Sequence, residues 1–286
     1  MSVLIALLPA LAWGMIPLTV SRVKGRPTNQ ILGTGFGAAL IGLVGFLITG
    51  ARTNALTFLL AMLSGAFWTI GQTGQFASYK RIGVSNTMPI STGFQLIGNS
   101  LIGVIIFGEW SGAANLLLGS LALLLIIIGI VLTAITGSND NTGELSIRSQ
   151  DILFLLATTI GYWVYSAFPK TVTGSAESLF FPQMLGILLG ASLYALLTKN
   201  ALAFRQKASW QAVLAGFVFS IGALSYIYSV NANGVAAAFV YSQLSVVIST
   251  LSGMYILGEK KQGRALFLTF AGLLLIVAGS ILTGLI

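Results

Sequence analysis

Trp68, Gln72 and Gln75 stand at i, i+4 and i+7, so a helix through them would carry all three on one face. Ser91, Gln95 and Asn99 repeat the pattern at i, i+4 and i+8 in the next apolar stretch. Ser242, Ser245, Ser249 and Ser252 form a hydroxyl seam further on, with Gln243 beside it, and Tyr226, Tyr228 and Asn231 precede it. Trp13, Tyr162 and Trp163 sit in two other apolar runs. A side-chain amide donates and accepts at once, as a sugar hydroxyl does, so Gln and Asn can bond two neighbouring hydroxyls. An aromatic face can cover the C–H face of a pyranose ring. The same amides and hydroxyls can also bond helix to helix, at about 0.6–2 kcal/mol each. For Gln72, Gln75, Gln95, Asn99 and Gln243 both roles stay open. The serine seam fits close helix packing better than ligand contact. Trp13 and Trp68 lie mid-span, away from the interfacial belt that usually explains Trp in a membrane.

These groups must be positioned by helices in lipid. The chain has 286 residues with 14 Lys+Arg, 6 Asp+Glu, no His and no Cys. Charged residues are 7% and apolar residues 56%, where a soluble domain carries about 25% charge. Mean hydropathy is +0.94. So few charges cannot cover a water-soluble surface. Ten stretches are long enough to span a bilayer: 2–21, 32–50, 56–78, 84–107, 115–136, 151–169, 178–198, 208–230, 234–257 and 264–284. A β-barrel would need strands of about ten alternating residues, whereas Leu116 to Leu132 is apolar on every side. The first stretch lacks a basic n-region and carries Pro9, Trp13 and Pro17, so it reads as a membrane helix rather than a leader.

The net charge of +8 comes from residues between the apolar runs, which points to topology rather than nucleic acid. Twelve basic residues fall in the loops after spans 1, 3, 5, 7 and 9; only Arg52 and Lys170 fall on the other side. Ten spans with that bias place both termini outside and the basic loops in the cytoplasm. No acidic or basic residue lies near the middle of a span, which disfavours a charged substrate. Without His or Cys, and with six acids near span ends or in loops, the chain lacks the nucleophile, base or metal ligands of a membrane enzyme. No metal or cofactor is expected.

The halves resemble each other. Ile70 and Gly71 match Ile221 and Gly222 at an offset of 151, while Gly103, Gly108, Glu109 and Gly129 match Gly253, Gly258, Glu259 and Gly279 at 150. Trp13 pairs with Trp163. Residues 1–136 and 151–286 therefore read as five-helix repeats joined by a loop at 137–150. Five is odd, so the second copy enters the membrane from the opposite side, and a site between the copies could open to either face. The expected fold is an all-α membrane protein of ten helices in two inverted repeats. Gly33 and Gly37, and Gly186 and Gly190, form GxxxG pairs in equivalent spans. Glu109 and Glu259 end equivalent helices; they are either a structural pair bonding nearby backbone or a protonation site.

The run GVSNTMPISTGFQLIGNSLIGVIIFGEW (83–110) resembles the glucose/ribose uptake porters of the drug/metabolite transporter superfamily. LLPALAWG (7–14), NQILGTGFGA (29–38), SGAFWTIGQTGQ (64–75) and SQLSVVISTLSGMYILGEKK (242–261) are similar too. The resemblance covers the whole chain. It implies the drug/metabolite transporter fold and uptake of a monosaccharide, glucose ahead of ribose, with proton symport. An exporter of a neutral or amphipathic solute is the alternative within the superfamily. The resemblance points to Trp68, Gln72, Gln75, Ser91, Thr92, Gln95 and Gln243 as site residues. Helix 6 (GYWVYSAFPKTVTG) matches least well.

Overall fold

The computed structural model describes residues 2–108, 110–134, 147–168, 171–172, 174–233 and 241–284; side chains of 2–6, 134, 227, 230–233 and 283–284 are left aside. Helices occur at α1 (Ser2–Ser21), α2 (Pro27–Thr49), α3 (Ala55–Ile82), α4 (Val84–Ile105), α5 (Ala113–Ala134), α6 (Ser149–Ala167) and α7 (Ala176–Leu197). A 3-10 turn (Ala201–Arg205) follows, then α8 (Lys207–Gln211), α9 (Val213–Asn233), α10 (Ser245–Tyr255) and α11 (Gly263–Gly284). There is no strand among the described residues. Seven helices are long and apolar enough to cross a membrane among the described residues.

The eighth apolar stretch forms one membrane-length span from Lys207, with a local irregularity in its first turns. Ala212, at φ −76 and ψ −6, separates α8 from α9, although no Gly or Pro marks the irregularity. Helix α2 begins at Pro27, earlier than hydropathy alone places it, because Pro is at home in a first turn and the Asn29 side chain accepts from the Arg26 N–H at 2.9 Å. Asn54 caps α3 by accepting from the Thr57 N–H at 2.8 Å. One residue, Gly83, turns the chain from α3 to α4 at φ 79, ψ 165, a conformation that favours glycine.

Polarity is inverted relative to a soluble protein. Ile48, Leu117, Phe267 and Leu274 are all more than two-thirds exposed, while Gln72, Gln75, Asn86, Ser91 and Thr92 are buried. That is the distribution hydrocarbon demands, since it solvates apolar groups and offers polar ones no partner. Helix α1 packs on α9 and α10, α3 on α6 and α7, α2 on α7 and α9, α4 on α6 and α10, and α5 on α11. Gly35 lies against Leu188, Gly42 against Met184 and Gly45 against Phe180, so α2 and α7 run antiparallel. Gly129 meets Gly272 and Gly279 meets Ala122, so α5 and α11 do the same.

The GxxxG glycines sit at the closest approaches. A Cβ at Gly37 would strike the Val213 carbonyl oxygen of α9, and one at Gly186 the Met62 carbonyl oxygen of α3. Close backbone contact replaces the hydrophobic drive that lipid removes.

The basic loops gather at one end. Lys80 Nζ donates to the Gly25 carbonyl, and Arg81 pairs with Asp151 at 2.7 Å. Asn29 Nδ2 donates to Gln206 Oε1 at 2.7 Å and to Ser209 Oγ at 3.0 Å. The Glu259 carboxylate accepts from the Val84 and Ser85 N–H groups at 2.5 and 2.6 Å. Lys261 donates to the Thr133 carbonyl at 3.0 Å and to Thr269 Oγ1 at 2.9 Å. These contacts join the connections after α1, α3, α5, α7 and α10. Glu259 thus sets a carboxylate on the positive end of α4. Glu109 lies outside the described residues.

Gly37→Ala and Gly186→Ala are each expected to lower stability by about 1–3 kcal/mol through overpacking. Gly45→Ala, whose nearest added contact is Phe180 at 3.7 Å, is expected to be near neutral. Thermal unfolding of the detergent-solubilised variants checks the contrast.

Candidate functional site

The polar face of α3 meets that of α4 in a hydrogen-bonded ladder. Tyr162 of α6 donates its hydroxyl to Gln72 Oε1 at 2.9 Å. Gln72 Nε2 donates to Gln75 Oε1 at 3.2 Å, and Gln75 Nε2 to Ser91 Oγ at 2.8 Å. Gln95 Nε2 also donates to Ser91 Oγ, at 3.3 Å. Tyr79 closes the lower end, its hydroxyl 3.1 Å from Gln75 Oε1 and 3.1 Å from Met88 Sδ. Each amide thus finds partners among the others. The chain's i, i+4 spacing makes this possible, because residues one turn apart stack on one face.

An aromatic wall stands over the ladder. The Trp68 ring lies 4.4 Å from Phe219 of α9, 6.1 Å from Tyr162 and 6.4 Å from Tyr165. Trp13 of α1 continues it, 6.3 Å from Phe219 and 5.6 Å from Tyr226. The Trp13 indole N–H donates to the Phe219 carbonyl at 3.3 Å, and Trp163 donates likewise to Phe94 at 3.0 Å. With their N–H groups given to backbone, these rings have only faces and edges left for other work.

The structure therefore brings together Trp13, Trp68, Gln72, Gln75, Ser91, Gln95 and Tyr226, drawn from α1, α3, α4 and α9. Thr92 is buried beside Ser91 on α4. Asn99 lies one turn beyond Gln95, and its Nδ2 is buried without a partner among the described residues. Thr73 Oγ1 is in the same condition. Unsatisfied buried groups are uncommon, and each calls for an explanation such as ligand contact. Gln243 is buried near the start of α10 and donates to Ser242 Oγ at 3.4 Å. Along the seam, Ser249 Oγ donates to the Ser245 carbonyl at 2.8 Å, a bond within its own helix. Tyr228 faces outward at 49% exposure, and the Asn231 side chain is outside those described.

Three residues join the site that sequence reasoning passed over: Tyr79, Tyr165 and Phe219. Tyr79 carried a signal, since it continues the Gln72–Gln75 face by another turn. Phe219 carried none, being one of 17 phenylalanines in apolar surroundings.

A helical bundle with lipid-suited walls and a buried polar seam defines a multi-pass membrane protein. The chain belongs to the Sugar_transport family, described as "Sugar transport protein", which matches residues 4–286. A Lactobacillus helveticus protein named "Putative sugar uptake protein" is 49% identical over 98% of this chain and 99% of its own length. A Staphylococcus epidermidis protein named "Putative ribose uptake protein RbsU" is 40% identical over 99% of this chain and 97% of its own. One crystal structure shares the fold, with a TM-score of 0.65 at 17% identity, covering 98% of this chain and 95% of that one.

Gln72→Leu leaves the Tyr162 hydroxyl buried without its acceptor, an expected cost of about 1–3 kcal/mol. Adding Tyr162→Phe removes the stranded donor and is expected to recover much of that loss. A double-mutant cycle on unfolding free energy checks the coupling.

Proposed function

We propose that the protein takes up a neutral monosaccharide, glucose or ribose, by alternating access. The single observation that carries this reading is the Tyr162–Gln72–Gln75–Ser91–Gln95 ladder under the Trp68 ring. It is uncharged, rich in paired donors and acceptors, and roofed by aromatic rings. A monosaccharide can exchange its own hydroxyls into these bonds, with Thr92, Asn99 and Gln243 as further partners. The names of the relatives support a sugar, and those named for ribose make the pentose as worthwhile a test as the hexose.

Alternating access rests on ten spans in two inverted five-helix repeats, 1–136 and 151–286, joined by 137–150. The packing supports that reading. If α1–α5 exchange with α6, α7, α9, α10 and α11 in order, the α1–α9 contact becomes α6–α3, α2–α9 becomes α7–α3, and α1–α10 becomes α6–α4; all are present. The equivalent helices α2 and α7, and α5 and α11, run antiparallel, as inverted copies must. The ladder lies where the copies meet. Clustering of the basic loops at one end supports placing that end in the cytoplasm of a cell-membrane protein, with both termini outside.

Proton symport would fall to a carboxylate near the path. Glu259 holds the α4 N-terminus, next to the Tyr79 end of the ladder. Protonation there would weaken its grip on Val84 and Ser85 and free α4 to move.

Reconstituted protein is expected to accumulate radiolabelled D-glucose or D-ribose in liposomes; uptake of neither by folded protein would refute the sugar reading. Gln95→Ala is expected to reduce uptake about tenfold, the equivalent of about 1.4 kcal/mol of lost hydrogen bonding, with its melting temperature little changed. An inward proton gradient is expected to stimulate uptake by the wild type and not by Glu259→Gln. Wild-type uptake indifferent to the gradient would assign passive transport instead.

A further inference from the structure

A pocket of about 250 Å³ opens at the basic-loop end, separate from the ladder. Its walls include Ser21, Gln30, Tyr79, Lys80, Leu257 and Glu259. They come from the ends of α1 and α3, the start of α2 and the connection after α10. Tyr79 is the partition between pocket and ladder, because its hydroxyl reaches Gln75 on the other side.

Gln30 singles this pocket out. The side chain is 3% exposed, and its Nε2 donates to the Val20 carbonyl at 2.9 Å. Its Oε1 is buried with no partner among the described residues. A buried acceptor without a donor is costly, and a ligand hydroxyl would relieve it. Glu259 lines the same pocket; its carboxylate has about four acceptor positions and gives two to Val84 and Ser85. Lys80 and Ser21 bring donors, while the Tyr79 hydroxyl proton is committed to Gln75 and Met88. One cation and one anion balance, so the lining favours a neutral ligand with several hydroxyls over an ion. The volume is below the roughly 300–1,000 Å³ of drug-sized sites, which suits one sugar ring rather than two.

We propose that this pocket is a second monosaccharide site, at the cytoplasmic mouth of the path, distinct from the ladder. The proposal rests on the sugar-uptake reading and adds a waypoint to it. Sugar leaving the ladder would pass Tyr79 and rest on Gln30 and Glu259 before release.

The chain has no Cys, so a single Ser21→Cys reports on the pocket alone, and Ser21 is exposed enough to react. The rate of its labelling by a membrane-impermeant methanethiosulfonate is measured in inside-out vesicles, with and without D-glucose or D-ribose. Glycine betaine at equal osmolality serves as the control. Either sugar is expected to slow labelling about tenfold once present at about ten times its dissociation constant. The slowing is expected to persist in Ser21→Cys/Gln72→Ala, where the ladder is disabled, and to vanish in Ser21→Cys/Gln30→Leu. Labelling indifferent to both sugars, in Ser21→Cys protein that still transports sugar, would overturn the second site and leave the uptake reading intact. Protection that disappears with Gln72→Ala would also overturn it, by showing that the pocket only reports events at the ladder. Failure of the uptake reading itself would appear as absent transport, which the same vesicles measure separately.

Discussion

Hydrocarbon offers no hydrogen-bond partner, and the rest of the structure follows from that constraint. Backbone groups satisfy one another within helices. Side-chain amides and hydroxyls must find partners in the bundle interior, and Gln72, Gln75, Ser91, Gln95 and Tyr162 do so by bonding to each other. Charges collect at the ends, where Arg81 meets Asp151 and Lys261 meets the Thr133 carbonyl. With the charges expelled and the amides paired inside, the bundle acquires an interior that is polar yet neutral.

Such an interior suits a polyol for the same reason it suits itself. A sugar hydroxyl both donates and accepts, so it can stand in for an amide or a tyrosine hydroxyl at little net cost. An ion could not, because it would meet no counter-charge. On the proposed reading, the aromatic wall from Tyr165 through Trp68 and Phe219 to Trp13 would cover the apolar face of a bound sugar. The arrangement also needs close helix contact, since a loose bundle would leave the amides short of one another. Gly37 and Gly186 provide that contact by admitting the Val213 and Met62 carbonyls. Both follow the rule of small residues at helix crossings that membranes favour in general.

Much of this was legible in the chain. Hydropathy located the long helices to within a few residues, because a run of some 20 apolar residues has few other uses. The i, i+4 spacing of Trp68, Gln72, Ser91 and Gln95 identified the inward faces of α3 and α4. Other features were hidden for physical reasons. The irregularity at Ala212 leaves no mark in hydropathy, since alanine is at ease on either side of it. The polar start of α2, with Asn29 and Gln30, looked like loop because its partners, Gln206, Ser209 and Val20, are distant or lie across a turn. Tyr162 and Trp163 are neighbours, but one step along a helix turns a side chain by about 100°; Tyr162 reaches Gln72 while Trp163 bonds the backbone of α4.

The central claim is that the α3–α4 amide ladder itself binds sugar. The most direct measurement follows the side-chain amide ¹H–¹⁵N signals of Gln72, Gln75 and Gln95 while D-glucose or D-ribose is titrated into the ¹⁵N-labelled protein. Saturable shifts of all three, with one common dissociation constant, are the predicted result. Signals that stay fixed in transport-competent protein, while amides elsewhere respond, would contradict the account.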